Sequence, residues 1–511
     1  GDPPAALAGL VPAGTVAGDA DAPAGAPQHA AEMAPDGFAA VLLADPDRPR
    51  GDATLAVRLP GGRFVAAPAA GQLAGDEMLV QGAATAAARV LMAVTSGDDA
   101  ARAVWIAPTT TAGAGTAVLR YAPGGGWTRE PLMSTGGAVY PVGLAAASPD
   151  RAWLLARTGP DAGAAPALFH RVVRDGAPAW VPVAPPERPV LAAAPVGVDG
   201  VAVAAPPADP LTVTDDAVWV DLRVRAGGAT RDAVVRLRPD GTAAATWCDL
   251  PAAPPMYGRD PAPACDHPLG FALPSAPRGY RSLAFPAHPG APLGARVISG
   301  AFPADAPPGP RRESAGGGGF AALDGDVFVA RDGIGDPGPD PTRAIAAAPD
   351  GRVVVGGGAA VGAYGPVTAA PAVRAPVPSD YLDTVVAASP DPAGGGRALA
   401  VTRAGMLALY VPDRGWTGVP SLTPPSEGSA GRYGVPRTVA WAAPNRVLTT
   451  AGGVVALMDG TPEPCCSPAP ANPAGTGHAT DATPPAASGA APGPPAPGDS
   501  ARMPTVPDGH R

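Results

Sequence analysis

The residues best suited to chemistry in this chain are five aspartates in one Gly-rich stretch, Asp324, Asp326, Asp332, Asp336 and Asp340. Flexible acidic loops supply the oxygen ligands that calcium takes, although the spacing here does not match an EF-hand loop. A calcium site competes with the reading that these acids are solvated turn residues. Cys248 and Cys265 lie 17 apart around a Pro-rich stretch, and a disulfide closing that loop would contribute ~3 kcal/mol. With His267 they could also be read as three zinc ligands, but no close C-x-x-C pair anchors them. Cys465 and Cys466 are adjacent, which suits a vicinal disulfide, an intermolecular link or two free thiols. An even cysteine count of 4 leans towards an oxidising compartment.

The remaining chemistry is sparse. Six histidines are scattered, and no Gly-x-Ser-x-Gly elbow occurs. His170 beside Phe169 reads as packing, which leaves His267 and His288 as the histidines to test. Asp150, Asp350 and Asp391 each follow a proline, where Asp accepts backbone hydrogen bonds within a turn. Asp98 and Asp99 have the same turn reading. For glycoside hydrolysis or lysis, paired carboxylates would have to face each other at ~5 to 10 Å; Asp383, beside Thr384, is the main candidate for such a pair.

Those prolines and aspartates belong to a repeated device. Small apolar residues, a Pro-Asp or Pro-Asn turn and a second apolar run recur in Leu144-Ala-Ala-Ala-Ser-Pro-Asp-Arg-Ala-Trp-Leu-Leu-Ala156, Ile345 to Val355, Val385 to Thr402 and Val439 to Thr450. A hairpin recurring over several hundred residues signals a repeat architecture. Third and fourth strands recur as well: Val118-Leu-Arg-Tyr121, Leu168-Phe-His-Arg171, Val234-Val-Arg-Leu237 and Leu407-Ala-Leu-Tyr410 each lead to a strand bearing Trp127, Trp180, Trp247 or Trp416. Four strands per unit, repeated about seven times, predicts an all-β chain built as a β-propeller, with six or eight blades as alternatives. The Ala-rich first strands belong near the crowded axis. Trp105, Trp153 and Trp219 share one place on the second strand, further out, where large rings pack between blades.

The body runs over 37–460. Residues 1–36 read as a flexible arm and 461–511 as a disordered tail rich in Pro, Ala and Gly. The last blade supplies three strands, and one of the segments near Phe38 to Leu43 or Thr54 to Val57 is expected to complete it.

The chain resembles bacterial propellers with YVTN-like, WD40-like or two-component-regulator-type repeats. The residues carrying the resemblance run from Asp350 through Val353-Val-Val-Gly-Gly-Gly to Tyr364. The resemblance implies architecture, and function has to be argued from the site. Sialidase-type Asp boxes, the Trp-Asp ending, doubled-Gly kelch signatures and tryptophan-docking repeats do not occur.

Composition narrows the partners. The net charge of −9 argues against nucleic acid, and no window approaches 18 uninterrupted apolar residues, so no transmembrane segment is expected. The 68 glycines and 71 prolines, with no lysine, fit a high-GC bacterial genome. Gly1-Asp-Pro-Pro without Met fits either a mature exported protein or a fragment. These features predict an extracellular or cell-surface propeller with a monomeric head and no cofactor beyond calcium. It would serve as a protein- or ligand-binding scaffold; a glycoside hydrolase or lyase and a structural surface protein are the alternatives. Two inter-blade insertions, Tyr257 to Gly279 and Ala301 to Gly319, are where a partner is expected.

Overall fold

Short apolar runs separated by Gly, Pro and Asp turns form antiparallel meanders in the computed structural model. The structure describes residues 10–15, 28–34, 36–43, 53–80, 90–133, 137–161, 163–183, 198–203, 210–214, 216–226, 229–248 and 265–267. Beyond these it describes strands between Leu283 and Met458, with Asp326 in a turn among them. Among the described residues eight sheets follow one another, at 28–68 (I), 92–131 (II), 140–182 (III), 198–248 (IV), 283–332 (V), 342–376 (VI), 385–419 (VII) and 439–458 (VIII). Each is an antiparallel meander of four strands. Sheet IV carries a fifth, and sheet VIII takes its fourth from the N-terminal segment Leu10–Thr15. Among the described residues no helix is long and apolar enough to cross a membrane.

The sheets form a ring. First strands pack against first strands from I to II to III to IV, again from V through VI and VII to VIII, and from VIII back to I. Trp247 of sheet IV bridges to sheet V by donating its indole N–H to the Asp326 carbonyl at 2.8 Å. This cyclic order is that of a β-propeller.

Burial explains why the second strands are so apolar. In sheet III, Trp153 and Leu155 face a core shared with sheet IV, while Ala152, Leu154 and Ala156 face a core shared with Trp105 and Val118 of sheet II. Alternate residues of one strand thus enter two different cores, so both faces must be hydrophobic. In sheet IV the first-strand position is split. Val198–Val203 pairs with the far half of Val218–Ala226, and Leu211–Val213 pairs with its near half.

Ring closure differs from the expectation. Ala39–Leu43 and Thr54–Arg58 are the two middle strands of sheet I, and every residue of Ala39–Leu43 is buried. A strand covered on both faces and both edges cannot serve as an outermost strand elsewhere. The closing strand is Leu10–Thr15, which pairs with Val454–Met458 through Leu10↔Met458 and Val11↔Leu457. It carries Pro12 and a register shift before Gly14, features tolerated on an edge strand. The segment read as an arm therefore contributes two strands, Leu10–Thr15 and Gln28–Met33, the second of which opens sheet I. Sheet I is not among the four hairpins from which the repeat was read. Its first hairpin turns through Asp36 and Gly37, in a sequence that is another copy of the repeated device, and Gly37 has φ +89°, where a Cβ would press on the Arg446 side chain.

Candidate binding surface and its supporting interfaces

Each sheet has two ends. The turns between strands one and two, and between three and four, lie at one end, here called the turn end; the remaining connections lie at the other. Asp36, Asp98, Asp150 and Asp216 mark the turn end of sheets I to IV. Asp98 accepts the Ala100 and Ala101 amides at 3.1 and 2.9 Å, so this acid is occupied with turn chemistry. Arginines tie neighbouring turns together. Arg102 of sheet II pairs with Asp36 of sheet I at 2.8 Å, Arg446 of sheet VIII donates to the Asp36 carbonyl, and Arg151 of sheet III donates to the Thr214 carbonyl of sheet IV.

The opposite end carries the long connections, at 69–91, 183–197, 249–282, 302–317 and 420–438. Both expected insertions therefore start and finish at this end, although 257–279, apart from Cys265 to His267, and 302–317 lie outside the described residues. The connection after sheet I is clamped. Glu77, 3% exposed, takes the Arg129 guanidinium in a two-pronged contact at 2.7 and 2.8 Å, the Thr116 hydroxyl at 2.7 Å and the Ala74 amide at 2.9 Å. Asp76 accepts from the Thr111 amide and hydroxyl. Burial pushes the Glu77 carboxyl up, but the Arg129, Ala74 and Thr116 contacts outweigh it and hold the group below its ordinary value of 4.5. A lowered folded value means that Glu77 stabilises the protein above its unfolded pKa, and that this contribution is lost as pH falls through the folded one. The urea midpoint should accordingly drop on acidification below about pH 4.5 more steeply in the wild type than in Glu77→Gln, whose midpoint should already be lower at pH 7.

A second buried acid lies between sheets II and III. Glu130, 0% exposed, accepts from Arg171 Nε at 3.0 and 2.9 Å and from the Trp180 indole at 3.0 Å. Arg171 also donates to the Pro149 carbonyl at 2.9 Å, which locks the third strand onto the turn.

Aromatic packing follows a cross-strand rule. Trp105, Trp153 and Trp219 on second strands pair with Arg120, His170 and Arg236 on third strands, and each cation or imidazole lies 5.3 to 5.8 Å from the ring opposite it. His170 is held below its ordinary value by burial and by Arg174, consistent with packing. On fourth strands, Trp127, Trp180 and Trp416 share one register, opposite Tyr121, Arg171 and Tyr410. Trp247 departs from it: opposite Val234, it occupies the place that Glu130 holds in sheet II.

Of the five aspartates expected as calcium ligands, Asp324, Asp326 and Asp332 lie among the described residues. Asp324 and Asp326 lie at the tight turn joining Gly318–Asp324 to Val327–Asp332, where Asp324 pairs with Val327, whereas Asp332 is at the far end of its strand opposite Gly319. Five strand steps separate these places by about 17 Å. Asp336 and Asp340 lie outside the described residues, as do His288, Asp350, Asp383, Asp391, Cys465 and Cys466. Among the described residues no group of three or more His, Cys, Asp or Glu gathers as a metal site. Cys248 and Cys265 form a disulfide with Cα atoms 5.7 Å apart, which leaves neither sulfur for zinc.

The disulfide returns the chain to the outer edge of sheet IV. His267 exchanges backbone hydrogen bonds with Thr246 and Cys248, Asp266 accepts the Thr246 amide at 2.8 Å, and the His267 ring stacks on Trp247 at 5.5 Å. Replacing both cysteines by serine should lower stability by about 3 kcal/mol in a urea titration, the chain-entropy value for a loop of this length.

No protein-family model and no curated protein sequence matches the chain. Among solved structures, the Dos1 propeller is 9% identical with a TM-score of 0.46, over 88% of this chain and 94% of that one. Hsv2 from Kluyveromyces lactis is 9% identical with a TM-score of 0.39, over 77% and 97%. The propeller architecture of this chain stands on its strand order and ring packing.

Proposed function

We propose that the protein is an exported β-propeller that acts as a binding scaffold, with its partner held at the long-connection end. The observation that carries this reading is the asymmetry between the two ends. In sheets I to IV the first turns are stitched to their neighbours by arginines at one end, and every connection of the ranges given above leaves from the other; in sheet V the connection 285–296 also joins strands at the turn end. Long connections on a rigid frame are where recognition is built. The pairing of Leu10 with Met458 brings the first and last described strands to the turn end, so the chain enters and leaves the ring opposite the proposed binding end. Export is supported by the disulfide, which persists in oxidising compartments. The buried acids Glu77 and Glu130 are engaged by Arg129 and Arg171, as structural ion pairs rather than as catalytic groups. First strands carry Glu32 and Asp199 as their acids among the described residues, on sheets I and IV, which are not neighbours.

The test uses bulky polymer attached to single introduced cysteines, in a Cys465→Ser/Cys466→Ser background, followed by capture of partner from the producer's cell-envelope extract. Ala112→Cys places the polymer on an exposed residue of the long-connection end, and Asp150→Cys places it at the turn end. Capture should fall at least ten-fold with the first and stay unchanged with the second. Equal capture with both, or loss confined to Asp150→Cys, overturns the assignment.

A further inference from the structure

Arg236 is the member of the cross-strand series with neither an ion pair nor a hydrogen bond among the described residues, although the buried Asp221, two residues from Trp219, shares its face of sheet IV. In sheet II, Arg120 lies over Trp105 and donates to the Ala100 carbonyl at 3.1 Å, with Glu130 on the adjacent strand. Sheet IV repeats the Trp and Arg as Trp219 and Arg236, but Trp247 stands where Glu130 stands. The Arg236 guanidinium therefore lies 5.7 Å from the centroids of two indoles, which are themselves stacked at 5.5 Å and 21°. Both rings are fully buried while Arg236 is half-buried. Among the described residues it has neither an ion pair nor a hydrogen bond. Asp326 approaches this cluster through its main-chain carbonyl, given to Trp247, and makes no ion pair with Arg236.

Two consequences follow from the chemistry. The aromatic faces satisfy the flat side of the guanidinium and hold its orientation. Its N–H edge is left with donors in a rigid fork, the arrangement that takes a planar carboxylate in two parallel hydrogen bonds. We propose that Arg236, held by Trp219 and Trp247, is a carboxylate-binding site near the turn end of sheet IV. It is independent of the partner surface at the opposite end. The occupant is a carboxylate, either free or carried on an acidic side chain of a partner.

Intrinsic tryptophan fluorescence of the full chain reads the site, because the two indoles flank the cation. The probes are sodium acetate and a short Asp-containing peptide with blocked termini, each titrated at constant ionic strength against chloride. The wild type should show a saturable change. Arg236→Lys, which keeps the charge and loses the fork, should weaken it at least ten-fold, and Arg236→Gln should abolish it; unchanged far-UV circular dichroism would show that both variants are folded. Tighter saturation by the peptide assigns the site to a partner's side chain, and equal saturation by both probes assigns it to a free carboxylate. A linear response to both probes, or a saturable change of equal strength in wild type and Arg236→Gln, overturns the proposal.

Discussion

A chain lacking residues 1–15 is expected to lose about 1 kcal/mol for each ladder hydrogen bond that Leu10–Thr15 makes with Val454–Met458, several kcal/mol in all, and to aggregate as it warms. Without this strand the last sheet keeps three strands and presents the backbone of Val454–Met458 as an open edge, a template for pairing with another chain. The damage should extend beyond sheet VIII. Sheet VIII packs on both sheet VII and sheet I, and Arg446 of its first turn is anchored on the Asp36 carbonyl. Opening the ring there should loosen contacts on both sides of the gap. Thermal melts with light scattering check the expectation, and a synthetic peptide of residues 8–17 added in trans should restore part of the lost melting temperature. A truncated chain that melts like the full chain would show that the ring closes without this strand.

Glu130→Ala should cost about 3 to 5 kcal/mol, because it leaves the Arg171 guanidinium buried without its carboxylate and the Trp180 indole N–H without its acceptor. Arg171→Ala should cost a similar amount through the complementary loss. The double variant should be much less destabilised than the sum of the two single ones, since removing both charges leaves neither unpaired. Urea denaturation of the four proteins gives the coupling directly. Additive effects would mean that the pair is screened by water and contributes little, contrary to its burial.

The repeated hairpin was legible because its parts are local. Proline fixes the turn, aspartate accepts the turn amides, and the flanking alanines and valines suit strands packed on both faces. The same signal was present at Ala34-Pro35-Asp36-Gly37-Phe38 and would have revealed sheet I. It was masked by the polar, Ala-rich first strand Gln28–Met33, whose composition carries little strand preference. Leu10–Thr15 was hidden for a different reason. With Pro12 and Gly14 it has almost no intrinsic strand signal, and its conformation is imposed by a partner more than 400 residues away.

The supporting interfaces were less legible still. Arg120, His170 and Arg236 occupy the same place in three recurring segments, yet their meaning depends on which tryptophan lies across the strand pair. Glu77 and Glu130 look like ordinary surface acids, because the arginines that bury them lie 52 and 41 residues away. Closeness in sequence suggested a shared ion for the acids of 324–340; of these, Asp326 and Asp332 lie at opposite ends of the described strand Val327–Asp332.

The most direct test of the closed ring, and of the two-ended arrangement that depends on it, is a pairwise disulfide cross-link. Val11→Cys with Leu457→Cys, in a Cys465→Ser/Cys466→Ser background, joins residues that face each other across the closing strand pair. Mild oxidation followed by peptide mass spectrometry should find the 11–457 bond in nearly all of the protein. The control pair, Val41→Cys with Leu457→Cys, should remain reduced. A 41–457 bond in place of the 11–457 bond would contradict the closure and, with it, the placement of the chain's first and last strands at the turn end.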